Sequence, residues 1–131
     1  MEMVISFPGG ACVDASVGDI VINTDQPPQG GGQGSAPTPF MLFLASLGTC
    51  AGIYVLSFCQ QRGLPTAGMQ IREHVEFDAA THMVKEVALH IDLPEGFPDK
   101  YRAALIKSAE LCAVKRHLEQ PPAFKVVTHP S

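Results

Sequence analysis

Cys50 and Cys112 are the residues whose type and setting best suit them to react. The thiolate is the nucleophilic form of cysteine, and a nearby cation or an uncrowded sulfur favours its reaction. Gly48, Thr49, Ala51 and Gly52 leave space around the Cys50 sulfur, while Lys115 and Arg116 follow Cys112 at i+3 and i+4. Two such sulfurs make a dithiol, in which one attacks an oxidant and the other closes a disulfide. The competing reading is that both pack as small hydrophobes, since free cysteine is among the most buried residue types. Cys59, nine residues beyond Cys50, falls off its helical face, and Cys12 lies in an alternating, strand-like stretch. Both read as packing or surface residues.

Other chemistries fit the sequence less well. His74, His82 and His90 lie in or near one alternating stretch, and His117 and His129 stand apart. No His-x-x-x-His or Cys-x-x-Cys spacing gathers ligands, so no metal site is expected. The Gly30 to Gly34 run lacks the lysine and following helix of a phosphate loop, and neither a Gly-x-Gly-x-x-Gly nor a Gly-x-Ser-x-Gly motif is present. No cofactor is expected. Nine Lys plus Arg against thirteen Asp plus Glu give a net charge of -4, which argues against nucleic acid or an anionic membrane surface as a partner. Four cysteines are too sparse for a disulfide scaffold, and Met1-Glu2-Met3-Val4 opens with neither a basic nor an apolar signal segment. A reducing, cytoplasmic setting is the expectation. With 46% hydrophobic and 17% charged residues over 131 positions, the chain has the apolar content for a single folded domain, residues 1–131, with one core.

The elements that must position the cysteines follow from periodicity. Met3, Ile5 and Phe7 alternate with polar or smaller neighbours. Pro8-Gly9-Gly10 interrupts, Ala11 to Val17 alternate again, and Gly18-Asp19 precedes a short run from Ile20 to Asn23. This reads as a three-stranded antiparallel meander. Residues 24 to 37 hold no apolar period and predict a loop free to move, a lid or a linker. From Phe40 to Cys59 no residue is charged; Pro37 and Pro39 start a helix there, and Gly63 and Pro65 stop it. That helix is apolar almost all round, as a buried central helix or a membrane span would be. Ser46, Thr49, Cys50 and Ser57 dilute its apolarity and no Lys or Arg cluster flanks it, which favours the buried helix. Gly48 and Gly52, with Ala45 a turn earlier, form a bulk-free stripe that invites another backbone, from the second helix or another subunit. Met69 to Phe77 and Met83 to Asp92 predict a hairpin with Ala79-Ala80-Thr81 as its turn. Asp99 is placed to cap a second helix that carries Tyr101, Leu105, Ala109 and Cys112 on one face and ends at Gln120-Pro121-Pro122. Phe124 to Thr128 reads as a last strand. The order βββ-α-ββ-α-β makes this an α+β protein.

Two segments carry a resemblance. Pro37-Thr38-Pro39-Phe40-Met41-Leu42-Phe43-Leu44-Ala45-Ser46-Leu47-Gly48-Thr49-Cys50 resembles the first cysteine motif of the OsmC/Ohr family, and Ser108-Ala109-Glu110-Leu111-Cys112-Ala113-Val114-Lys115-Arg116 resembles its second. The resemblance covers nearly the whole chain. It implies an intertwined homodimer, two central helices wrapped by strands exchanged between subunits. It also implies a thiol peroxidase in which Cys50 attacks an organic hydroperoxide to become a sulfenic acid and Cys112 resolves it as a disulfide, with an external thiol system as reductant. The alternative on the same fold is a non-catalytic dimer that binds a hydrophobic small molecule.

The departures from the family pattern are specific. Its peroxidases carry an arginine in the N-terminal meander and a glutamate on the first helix, which hold and polarise the thiolate and peroxide. Here Ala11 follows the glycine pair, no arginine precedes Arg62, and Met41 occupies the glutamate's helix position. Arg116, or else Arg102, is expected to approach in their place, with Asp25 to orient it. Ala113 stands where members often have proline, which weakens the expectation of a helix break at Cys112.

Overall fold

The computed structural model describes residues 1–130. The chain divides into two compact units, the first from Met1 to Ala45 and the second from Ser46 onward. In the first, β1 (Val4–Gly9), β2 (Cys12–Val17) and β3 (Ile20–Thr24) form an antiparallel sheet in the order β1-β2-β3. The register pairs Ile5 with Ala15 and Ala15 with Ile22, as the alternation requires. Gly10 and Gly18 turn the two hairpins with φ of 56° and 55°, in the left-handed region that side chains disfavour.

The expected free loop after β3 is instead built around one buried carboxylate. Asp25 accepts from the backbone N–H of Gln26 (2.7 Å), Gln33 (3.2 Å) and Ser35 (3.0 Å), and from the Ser35 hydroxyl (2.6 Å). Four donors on one carboxylate give this segment an order that its lack of apolar period did not foretell. The same contacts engage Asp25 in its own loop, so its expected role of orienting an arginine is replaced by a structural one.

Helix α1 spans Pro39–Gln61. Pro39 sits at its start and the Thr38 hydroxyl accepts from the Met41 N–H at 3.1 Å. At the other end Gly63, at φ 61°, allows Leu64 N–H to reach the Cys59 carbonyl at 2.9 Å, a left-handed termination. By length and composition α1 is apolar enough to cross a membrane. In this chain its buried residues, Ala51, Val55, Phe58 and Cys59, supply a core instead. Val55, Phe58 and Cys59 cluster with Phe97 and Leu105, and Ile71, Ile91, Leu93, Tyr101 and Ala109 pack around them. Within the chain the Gly48/Gly52 stripe faces a strand and not the second helix. Its nearest neighbours outside α1 are side chains of β4 (Gln70–Phe77): a Cβ on Gly48 would lie 2.5 Å from Glu73 Oε1, and one on Gly52 would lie 3.8 Å from Ile71 Cδ1.

β4 pairs antiparallel with β5 (Val84–Asp92), Ile71 opposite Ile91 and Val75 opposite Val87. Their turn is fixed by the Asp78 carboxylate, which accepts from the N–H of Ala80 and Thr81 at 2.9 Å each. Asp99 does not cap the next helix. Residues Asp99–Tyr101 form a 3-10 turn, and Asp99 pairs with Arg102 at 3.0 Å. The second helix is two helices, α2 (Arg102–Glu110) and α3 (Ala113–Glu119), broken at Leu111 and Cys112. The expected strand over Phe124–Thr128 is absent. A strand exists only against a hydrogen-bonded neighbour, and among the described residues no ladder pairs these; Phe124 and Val126 are 87% and 94% exposed.

Candidate functional site

Cys50 lies in the middle of α1, and Cys112 lies at the break between α2 and α3. The break is a local backbone event. Leu111 N–H donates to the Ser108 carbonyl (3.1 Å) and Cys112 N–H to that of Ala109 (3.4 Å), tightening the last turn of α2. Cys112 then turns to φ -47°, ψ 130°, extended backbone, and its carbonyl accepts from Arg116 N–H at 3.1 Å to begin α3. The Ser108 hydroxyl donates to the Tyr54 carbonyl at 3.3 Å, tying the end of α2 to α1 one turn beyond Cys50. An extended residue between two helical turns leaves the first N–H groups of α3 without helical acceptors. The two cysteine sulfurs lie beside them: the Val114 and Ala113 N–H groups act on Cys50, and those of Lys115 and Val114 on Cys112.

The backbone N–H of Val114 and the Cys112 thiol donate to Cys50, the Ala113 N–H adds a smaller contribution and the Arg116 charge a smaller one still. Together they outweigh partial burial and hold the Cys50 thiol below its ordinary pKa. Cys112 is 2% exposed, and its pKa moves the other way. Burial pushes it up first, and its contact with Cys50 adds to that against the N–H groups of Lys115 and Val114. The pair is thus differentiated: hydrogen-bond donors favour ionisation of Cys50, and burial disfavours it at Cys112.

The sequence-predicted residues distribute unevenly over this site. Cys50 and Cys112 meet directly. Arg116 acts on Cys50 through its charge alone. Arg102 is paired with Asp99. Cys59, fully buried, has its thiol pKa raised by desolvation, and Cys12 is half-buried in β2. His74 and His90 meet edge-to-face across β4 and β5 at 5.1 Å. Sequence reasoning missed the Ala113 and Val114 amides. Their one visible signal was Ala113 itself, because a proline there would have no N–H to give. The helix break came despite the alanine.

Two grooves flank α2, and neither Cys50 nor Cys112 lines them. One, of about 590 Å³, runs between β5 and α2 past Leu89, Ile91, Leu105 and Ile106 to Lys115. The other, of about 650 Å³, runs between α1 and α2 past Ile53, Tyr54 and Phe58 to Leu111.

Comparison with known proteins places this arrangement in a family. The profile of the family described as OsmC-like protein matches residues 32–127. No curated protein sequence matches the chain. Among solved structures, a protein from Psychrobacter arcticus named for osmotic stress induction and detoxification response is similar with a TM-score of 0.73 at 22% identity, covering 87% of this chain and 85% of that one. An organic hydroperoxide resistance protein OsmC from Legionella pneumophila aligns with a TM-score of 0.60 at 22% identity, over 90% and 89% of the two chains. The organic hydroperoxide resistance protein OhrB of Bacillus subtilis aligns at 0.55 and 14% identity, over 92% and 93%. With the α+β order and both cysteine motifs in place, this chain belongs to the OsmC-like protein family.

Proposed function

We propose that the protein is a cytoplasmic, cysteine-based reductant of organic hydroperoxides that acts in oxidative-stress defence as a homodimer. The observation that carries this reading is the differentiated sulfur pair, with Cys50 accepting hydrogen bonds from Val114 N–H and the Cys112 thiol. Membership of the family and neighbours named as organic hydroperoxide resistance proteins support it. The Cys50 thiolate attacks the terminal oxygen of ROOH; the O–O bond breaks, RO⁻ takes a proton and leaves as ROH, and Cys50 becomes a sulfenic acid. Forming that neutral acid removes the Cys50 charge, the smallest of the contributions that raise the Cys112 pKa, while burial, the largest, remains. The Cys112 sulfur then attacks the sulfenic sulfur, the S–S bond forms and water leaves. An external thiol returns the two electrons. The amides and the Arg116 charge stand in for the family's arginine, as fixed donors and positive charge where negative charge resides.

The test is reaction of the reduced protein with cumene hydroperoxide, followed by mass spectrometry. Rapid loss of two thiols per chain with a Cys50–Cys112 disulfide is expected. Cys50→Ser will abolish the reaction, and Cys112→Ser will stop at a sulfenic acid that dimedone traps. Slow, unselective oxidation at the rate of an ordinary thiol overturns the reading. The apolar groove between α1 and α2 favours the second reading, a dimer that binds a hydrophobic small molecule without turnover. Ligand binding there without disulfide formation would select it.

A further inference from the structure

Among the hydrogen bonds of the described residues, that of His117 leads back to the reactive sulfur. Its Nδ1 lies 2.6 Å from the Ala113 carbonyl oxygen, four residues earlier on α3. A carbonyl oxygen only accepts, so Nδ1 carries the proton and donates. The Ala113 carbonyl and the Val114 N–H are the two ends of one peptide unit, and that N–H is the largest of the contributions that lower the Cys50 pKa. The peptide bond is a conjugated system, so donation to its oxygen draws electron density from nitrogen and makes the N–H a stronger donor.

We propose that His117 is a positioning residue for Cys50, acting through the Ala113–Val114 peptide: the imidazole donates at the oxygen end and the amide donates at the sulfur end. The proposal deepens the peroxidase reading, because it names what strengthens the thiolate's principal donor. The imidazole is exposed and does not touch the sulfur, so it takes no part in the chemistry itself. The titratable or charged groups that act on Cys50 are Cys112, from the helix break, and Arg116, from α3. Lys115 and Glu119, beside His117 on the same helix, pair with each other at 3.7 Å.

The experiment is site-resolved alkylation of Cys50 with iodoacetamide as a function of pH, read by mass spectrometry on the full-length reduced protein. This readout needs no peroxide, so it succeeds or fails separately from the hydroperoxide assay. His117→Ala removes the donor while improving helix propensity, so loss of α3 cannot mimic the effect. His117→Asn keeps a side-chain N–H near the position of Nδ1 at similar helix propensity. In His117→Ala the Cys50 midpoint is expected to rise by about 0.3 pH unit, the size of a 10–30% change in one charge-assisted hydrogen bond. In His117→Asn it is expected to stay near the parent value. An unchanged midpoint in His117→Ala overturns the proposal. Equal rises in both variants with lowered helicity also overturn it, and assign His117 a purely structural role.

Discussion

Residue 113 is where this chain's departure from its relatives has a chemical consequence. The family pattern that the second motif resembles often has proline there, which has no N–H; Ala113 keeps one, and with that of Val114 it lowers the Cys50 pKa. The backbone at this point is compatible with proline, since Cys112 is extended at ψ 130° and position 113 opens a helix. Ala113→Pro is therefore a clean deletion of one donor. It is expected to raise the midpoint of Cys50 alkylation by about half a pH unit, the scale of one weak charge-assisted bond, with the thermal midpoint held. An unchanged alkylation profile would remove the Ala113 amide from the account. The parent protein gives the companion prediction. Cys50 will alkylate at pH values where Cys59 and Cys112 do not, because burial raises those two while donors lower Cys50. Simultaneous titration of the three sulfurs would contradict the differentiated pair.

Among the elements, the loop after β3 is the most testable. Ser35, first through its hydroxyl and then its N–H, and the Gln26 N–H hold the Asp25 carboxyl well below the ordinary carboxylate range. The folded pKa is thus below the unfolded one. The stabilisation is complete above the unfolded value near ~4 and is lost as pH falls through it toward the folded value. Asp25→Ala will lower the thermal midpoint by several degrees at neutral pH, and the difference from the parent will shrink in acid. Gly32→Ala belongs to the same element: its Cβ would overlap the Gln26 carbonyl oxygen and lie 2.5 Å from Asp25 Oδ1. It is expected to cost about 2 kcal/mol in denaturant unfolding, as forced overpacking does. Period and punctuation made the meander, the long helix and the β4–β5 hairpin legible in the sequence, because each buries one face in a regular repeat. The Asp25 loop was not legible, since a carboxylate gathering donors eight and ten residues away leaves no periodic trace. The break at Cys112 was hidden for a related reason. Ala113 has no helix-breaking chemistry, and the break is sustained by the contact of its amides with a sulfur 63 positions earlier, between Cys50 and Ala113. The two cysteines themselves were visible as a pair; the motif resemblance alone pointed to Cys50 as the attacking sulfur, and the amides that favour its ionisation were not legible.

For the whole molecule, the unpaired apolar surface decides what to expect in solution. Val4, Ile5 and Phe7 of β1 are 56%, 52% and 80% exposed, and Phe124 and Val126 are more exposed still. Apolar surface on this scale, with a β-prone segment that has no ladder, calls for a second copy to complete the strands. Sedimentation will therefore give twice the chain mass, and Val126→Asp, which puts a charge where a partner strand would pack, will shift the protein toward monomer. The sulfur pair makes the sharper distinction. Cys50, Cys112 and the amides between them all belong to one chain, in its second compact unit. The disulfide formed on oxidation will therefore be intrachain. Peroxide-treated protein will run as a monomer on a non-reducing denaturing gel at every concentration, and Val126→Asp will still close the bond, because both sulfurs and the Val114 and Ala113 amides belong to the same chain. A covalent dimer on that gel would place the resolving sulfur in the other copy and break the link between the geometry around Cys50 and its chemistry.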